Sequence, residues 1–142
     1  MNKLNSNLIP FSQSPKGIWR KIVLFGLSIF FINAGITHFT NVNFYLSIMP
    51  PSFPLHEEAV YISGFFEIIG GIGLLIPRFR KIAGWGLFAL LIAVYPANIY
   101  MAITPEAFPD IPLYALYIRL VFQFIFFYWA YSLTRPNFNP GY

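Results

Sequence analysis

Two oppositely charged residues, Glu67 and Arg119, lie within long apolar stretches of the chain, where charged groups are rare and chemically capable. A lone charge near mid-bilayer costs about 2.5–3.5 kcal/mol on insertion scales and about 10–17 kcal/mol in simulations of isolated helices. Both residues are therefore expected to face the interior of a helical assembly and to meet partners there. The simplest arrangement is an internal ion pair, with Asn98 and Gln123 satisfying the remaining hydrogen-bonding groups. The same residues could instead line a ligand site. Arg119 would then hold a ligand oxygen in its planar fork, Glu67 would position Arg119 or exchange a proton, and Asn98 and Gln123 would orient the ligand.

Depth and helical phase favour convergence. Glu67 is about nine residues into its stretch, roughly 14 Å, and Arg119 about six residues into its own, roughly 9 Å from the same side. Gln123 follows Arg119 by one turn, and Asn98 lies just beyond the helix-kinking Pro96. Asn33 and His38 occupy the matching half of the first stretch, but they are about 140° apart around a helix and cannot both point squarely into one site. His38 is expected near the interface, solvated or bonded to a loop carbonyl, at the mouth of any pocket. Ser63, Glu67 and Gly71 recur every fourth residue, with Gly64 and Gly70 beside them, and Ala89, Ala93 and Ala97 form a second small stripe. Small residues let neighbouring backbones approach closely.

Several chemistries are excluded. The 142 residues include no cysteine, which removes disulfides, thiol redox work and thiolate zinc sites. His56 is the only other histidine and no H-E-x-x-H spacing occurs, so no metal site is expected. Gly70, Gly71 and Gly73 lack the Lys-Ser/Thr ending of a phosphate loop and read as packing residues.

The elements that position these residues are four apolar stretches, about Ile18–Phe39, Glu58–Ile76, Ile82–Ile103 and Leu113–Leu133. Each is near the ~20 residues that cross a ~30 Å hydrocarbon layer as a helix. Composition agrees: 57% of residues are hydrophobic, 10% are charged, and the mean hydropathy is +0.62. The expected fold is an all-α, four-helix transmembrane bundle. A polar tail over 1–17, the bundle over 18–135 and a short tail over 136–142 complete the organisation. The net charge of +4 does not imply nucleic acid, because the basic residues cluster at stretch ends. Lys3, Lys16, Arg20, Lys21, Arg78, Arg80, Lys81 and Arg135 fall on one side, and Glu57, Glu58, Glu106 and Asp110 on the other. The positive-inside rule then places both termini in the cytoplasm. Trp19, Trp85 and Trp129 lie toward that side, as interfacial anchors would. The two opposite loops are expected to roof the bundle: one has Phe44, Tyr45, Ile48 and Met49 on one face of a short helix, and the other is stiffened by Pro105, Pro109 and Pro112.

Four ordered motifs carry a family resemblance. Ala34-Gly35-Ile36-Thr37-His38-Phe39 with Phe44-Tyr45 and Ile48-Met49-Pro50-Pro51 comes first. Ser63-Gly64-x-x-Glu67-Ile68 with Gly71-x-Gly73-Leu74-Leu75-x-Pro77 and Arg80 comes second. Ala93 to Ala102 around Pro96 and Asn98 is third, and Arg119-Leu120-x-x-Gln123 with Trp129-Ala130 is fourth. Together, over about residues 20 to 133, they resemble the DoxX-like family of small integral membrane proteins. That resemblance implies a four-helix bundle in the bacterial cytoplasmic membrane. The wider superfamily includes a subunit of an archaeal thiosulfate:quinone oxidoreductase and a eukaryotic receptor chaperone. Members tied to thiol chemistry use cysteines, which this chain lacks. Fold alone does not fix chemistry.

The expected role is thus a membrane protein with a polar pocket built on Glu67, Arg119, Gln123 and Asn98, with His38 at its mouth and Asn33 nearby. It would bind a small anionic or quinone-like ligand as a redox-associated accessory subunit, not as an enzyme on its own, and no cofactor is assigned. The alternative is an interaction protein, a chaperone or scaffold for another membrane protein or a second copy of itself. Its glycine and alanine faces would then serve partners as well as internal packing.

Overall fold

The computed structural model describes residues 14–135, and the chain there is helical throughout apart from its connections. The elements are α1 (Ser14–Thr40), α2 (Val42–Ile48), α3 (His56–Leu75), α4 (Arg80–Ile103), a short 3₁₀ turn (Pro105–Ala107) and α5 (Leu113–Leu133). The four long helices are each long and apolar enough to cross a membrane. The expected spans match them closely, although α1 starts earlier, so residues 14–17 belong to a helix and not to a tail. The rest of that tail and residues 136–142 lie outside the described residues.

Prolines set several boundaries. Ile76, ahead of Pro77, is extended and ends α3; Thr104, ahead of Pro105, leaves the helical region and ends α4. The ring of a following proline disfavours helical backbone at the residue before it. Pro112 in turn introduces α5. Leu55, at the start of α3, has a left-handed backbone with φ 53°, alone among the described non-glycine residues.

The long helices run antiparallel to their neighbours. α1 packs most extensively on α3, α3 on α4 and α4 on α5, while α1 and α5 touch only sparsely. Glycines govern the closest crossing. A Cβ on Gly35 would fall 2.6 Å from the Gly64 carbonyl oxygen, and one on Gly71 would fall 2.9 Å from that of Ser28. The α1 and α3 backbones are therefore in direct contact, as the small stripe on α3 predicts. Gly84 plays the same part between α4 and α5, facing the Ala130 carbonyl oxygen. The alanine stripe on α4 behaves differently. Ala89 and Ala93 are exposed, and Ala93 and Ala97 leave room that a cavity occupies.

The apolar core is split in two. Leu24, Leu27, Phe31, Leu74, Leu87 and Leu133 fill the end nearer the α3–α4 turn. At the other end Ile48 of α2 packs with Met101, Phe108 and Leu116, so α2 and the second loop form one lid, as expected. Outside, large apolar side chains dominate; Ile82 is 71% exposed, Tyr128 70% and Val121 61%. A surface of that kind suits contact with lipid tails rather than water.

The turn end carries Arg20, Lys21, Arg78, Arg80, Lys81 and Arg135. Arg80 departs from a simple surface charge. It is buried, and its Nε donates to the Leu74 carbonyl oxygen at 2.9 Å. A cation on the last carbonyls of a helix is favourably placed against its dipole. Trp19 and Trp85 are exposed at this end, whereas Trp129 packs on the core.

Candidate functional site

Between the two core clusters lies a cavity of about 880 Å³, lined by all four long helices and by α2. Its volume falls within the ~300–1,000 Å³ of small-molecule sites. Most of the lining is apolar, including Phe30, Leu90, Phe122 and Phe126. The polar lining groups include His38, Tyr45, Glu67, Asn98, Arg119 and Gln123. Five of the six residues expected at a site thus border one space.

Asn33 does not. Its side chain is exposed, and its Nδ2 donates to the Ile29 carbonyl oxygen one turn back, at 2.9 Å. The angular separation from His38 along α1 accounts for this, since only one of the two positions can turn inward.

The expected Glu67–Arg119 ion pair is not formed; among the described residues, no carboxylate lies within 4.0 Å of Arg119. Arg119 instead directs Nε and Nη2 to the Asn98 Oδ1, at 3.3 and 3.2 Å. Asn98 Nδ2 donates to Gln123 Oε1 at 2.7 Å, and Gln123 Nε2 donates to the Leu91 carbonyl oxygen at 2.8 Å. Each amide uses both its ends, so the chain of bonds is directional and fixes the amide orientations. It terminates beside the gap made by Pro96, which has no N–H to offer the preceding turn.

Glu67 faces His38. Their nearest atoms, Glu67 Oε2 and His38 Nε2, are 3.4 Å apart, and Oε2 is buried without an aligned hydrogen bond. The other ring nitrogen, Nδ1, is 2.9 Å from the Val60 carbonyl oxygen. Because a carbonyl can only accept, Nδ1 carries a hydrogen. His38 is only 6% exposed, so it is neither solvated nor bonded to a loop: it reaches a carbonyl of α3. Gly64 permits this, since a Cβ there would fall 2.5 Å from the His38 Cβ.

Tyr45 completes the arrangement, and sequence reasoning placed it only in the roof. Its ring stacks on His38 with centroids 3.7 Å apart, and its hydroxyl lies 2.6 Å from Thr37 Oγ1. Thr37 donates its own hydrogen to the Ala34 carbonyl oxygen, so Tyr45 is the donor to Thr37. Burial raises the Tyr45 phenol above its ordinary value of 10.0; the Thr37 bond and the Arg119 charge oppose this, and the Glu67 charge adds to it. The phenol is thus within electrostatic reach of both charges. The inward face of the 44–49 segment was the available signal for Tyr45. The carbonyls of Val60 and Leu91 carry none, because every residue has one.

Among the described residues no group of three or more His, Asp or Glu side chains could hold a metal ion. The arrangement can do two things chemically. It offers a guanidinium to an oxygen anion or carbonyl, and it holds a histidine and a carboxyl group close enough to share a proton.

Four apolar helices packed around a pocket with a polar cluster at one end define a small helical-bundle protein. Residues 27–134 match the family model described as a domain of unknown function, DUF8561, and the chain belongs to that family. No curated protein and no solved structure matches it.

Proposed function

We propose that this is a multi-pass membrane protein that binds a small lipophilic molecule through an anionic or carbonyl oxygen. One observation carries the reading: the Arg119 guanidinium faces a large, mostly apolar cavity without a carboxylate partner among the described residues. A guanidinium has five N–H donors, and hydrogen bonds among the described residues use only those on Nε and Nη2. A ligand oxygen at Arg119, with its apolar body against Phe30, Phe122 and Phe126, supplies a further acceptor. Quinone-like molecules and organic anions share this chemistry. The motif resemblance to DoxX-like proteins favours a role beside a redox complex in the bacterial cytoplasmic membrane. The distribution of basic residues favours cytoplasmic termini, which puts the pocket in the outer half of the bilayer.

The scaffold reading has less support. Gly35, Gly64, Gly71 and Gly84 are occupied by contacts within the chain, which leaves a partner helix only open positions such as Gly26, Gly86 and Ala89. The test is extraction of small molecules from protein purified gently in native lipid, followed by mass spectrometry. A lipophilic molecule should copurify with the wild type and be depleted in Arg119→Met. An identical extract from a folded Arg119→Met variant would refute the pocket.

A further inference from the structure

Two features of the pocket are unfinished, and they fit each other. Arg119 spends Nε and Nη2 on one amide oxygen and has no carboxylate within 4.0 Å among the described residues. Across the cavity, Nδ1 of His38 carries a hydrogen toward Val60, so in the neutral ring Nε2 bears a lone pair. That lone pair faces an unbonded oxygen of Glu67 at 3.4 Å. If Glu67 is ionised, two lone pairs oppose each other; one added proton, on either atom, turns the contact into an attraction.

We propose that the pocket binds a lipophilic carboxylic acid as its anion on Arg119 and takes up one proton between His38 and Glu67 as it does so. This rests on the pocket reading above and narrows it to one ligand class. The balance is simple. At pH 7–9 the ligand is already a carboxylate; it accepts hydrogen bonds from the guanidinium, and one proton from the solvent goes to His38 Nε2 or Glu67 Oε2, with nothing oxidised or reduced. Before binding, the Arg119 cation is offset across the cavity by the Glu67 carboxylate. After binding, it is offset by the ligand, and the His38–Glu67 pair with its proton is neutral. The site therefore stays neutral throughout, which a water-poor interior favours. A dianion such as a phosphate monoester would leave one charge unmatched.

The surroundings agree. From α1 the pair is faced by His38 itself, from α2 by Tyr45, from α3 by Glu67 and from α5 by Arg119, while α4 contributes only the neutral Asn98. Tyr45 donates to Thr37 and does not compete for the proton. The aromatic wall of Phe30, Phe122 and Phe126 lies on α1 and α5, the two neighbouring helices that touch least, and Phe30 meets Phe126 there with ring centroids 4.4 Å apart, so an apolar tail has an aromatic seam to lie against.

The probe is decanoate, with decanol as its uncharged counterpart, titrated calorimetrically into the full chain in maltoside micelles between pH 7 and 9. Measurements in phosphate and in Tris, whose ionisation enthalpies differ, give the protons exchanged per ligand. The expected result is decanoate binding that weakens with rising pH, toward about tenfold per unit, as proton uptake rises toward one per decanoate. Glu67→Gln should bind decanoate with no proton uptake, and Arg119→Met should lose it. Wild-type binding without proton uptake, or equal binding by Arg119→Met, overturns the proposal. If decanoate fails to bind while another molecule still copurifies, this proposal falls and the pocket reading stands; if nothing binds or copurifies, both fall.

Discussion

Gly35→Ala is the sharpest test of the packing that creates the site. The new methyl would fall 2.6 Å from the Gly64 carbonyl oxygen, 2.7 Å from Ile68 Cγ1 and 3.0 Å from the Ile68 nitrogen, where ordinary contact begins near 3.4 Å. Ile68 can rotate away, but two of these atoms are backbone, so α1 and α3 must part by about 0.8 Å. Overpacking of this kind costs about 1–3 kcal/mol. The same shift pulls His38 from the Val60 carbonyl, now 2.9 Å away, and from Glu67. Gly26→Ala is the matched control: on the same helix, a Cβ there has nothing within 4 Å, and alanine is the better helix former. Reversible unfolding in mixed detergent micelles should show Gly35→Ala destabilised by about 1–3 kcal/mol and Gly26→Ala unchanged or slightly more stable. Equal stabilities for the two variants would refute the direct backbone contact between α1 and α3.

Other expectations follow from the polar groups. Asn98→Leu removes the acceptor of two Arg119 hydrogens and the donor to Gln123, and should cost about 1–3 kcal/mol in the same assay; Asn98→Asp, which keeps the acceptor, should lose less, and the reverse order would be inconsistent with the network. Burial raises the Tyr45 phenol, so the folded chain keeps that proton longer than the unfolded one. Its contribution is complete below about pH 10 and is lost as the pH rises through the folded value; Tyr45→Phe should lack this alkaline decline, and profiles of identical shape would count against it. Because the chain has no cysteine, single substitutions Ser52→Cys and Arg78→Cys report sidedness directly. In intact cells, a membrane-impermeant maleimide should label the first and spare the second; the opposite pattern would invert the proposed orientation.

The four long helices were legible because unbroken apolar runs of about 20 residues and flanking prolines are local signals. The glycine stripe on α3 was also legible, since its period matches the helix. Pairing of the charges was not. Arg119 and Glu67 each needed partners, but the choice turns on which helix faces which. α1 lies against α3, so His38 reaches Glu67 first, and α4 lies against α5, so Asn98 reaches Arg119 first. Opposite charge made their direct pairing attractive on paper; adjacency decided otherwise. Arg80 shows the same limit. A run of basic residues reads as a surface turn, yet its Nε finds an acceptor that only the folded end of α3 presents.

That adjacency gives the molecule the build of a closed book. One cover is α1 with α3, held by glycine contact; the other is α4 with α5; at the α3–α4 turn Arg80 clasps Leu74 and Gly73 abuts Ala83. The acid belongs to one cover and the guanidinium to the other, so any occupant that touched both would have to bridge the two helix pairs.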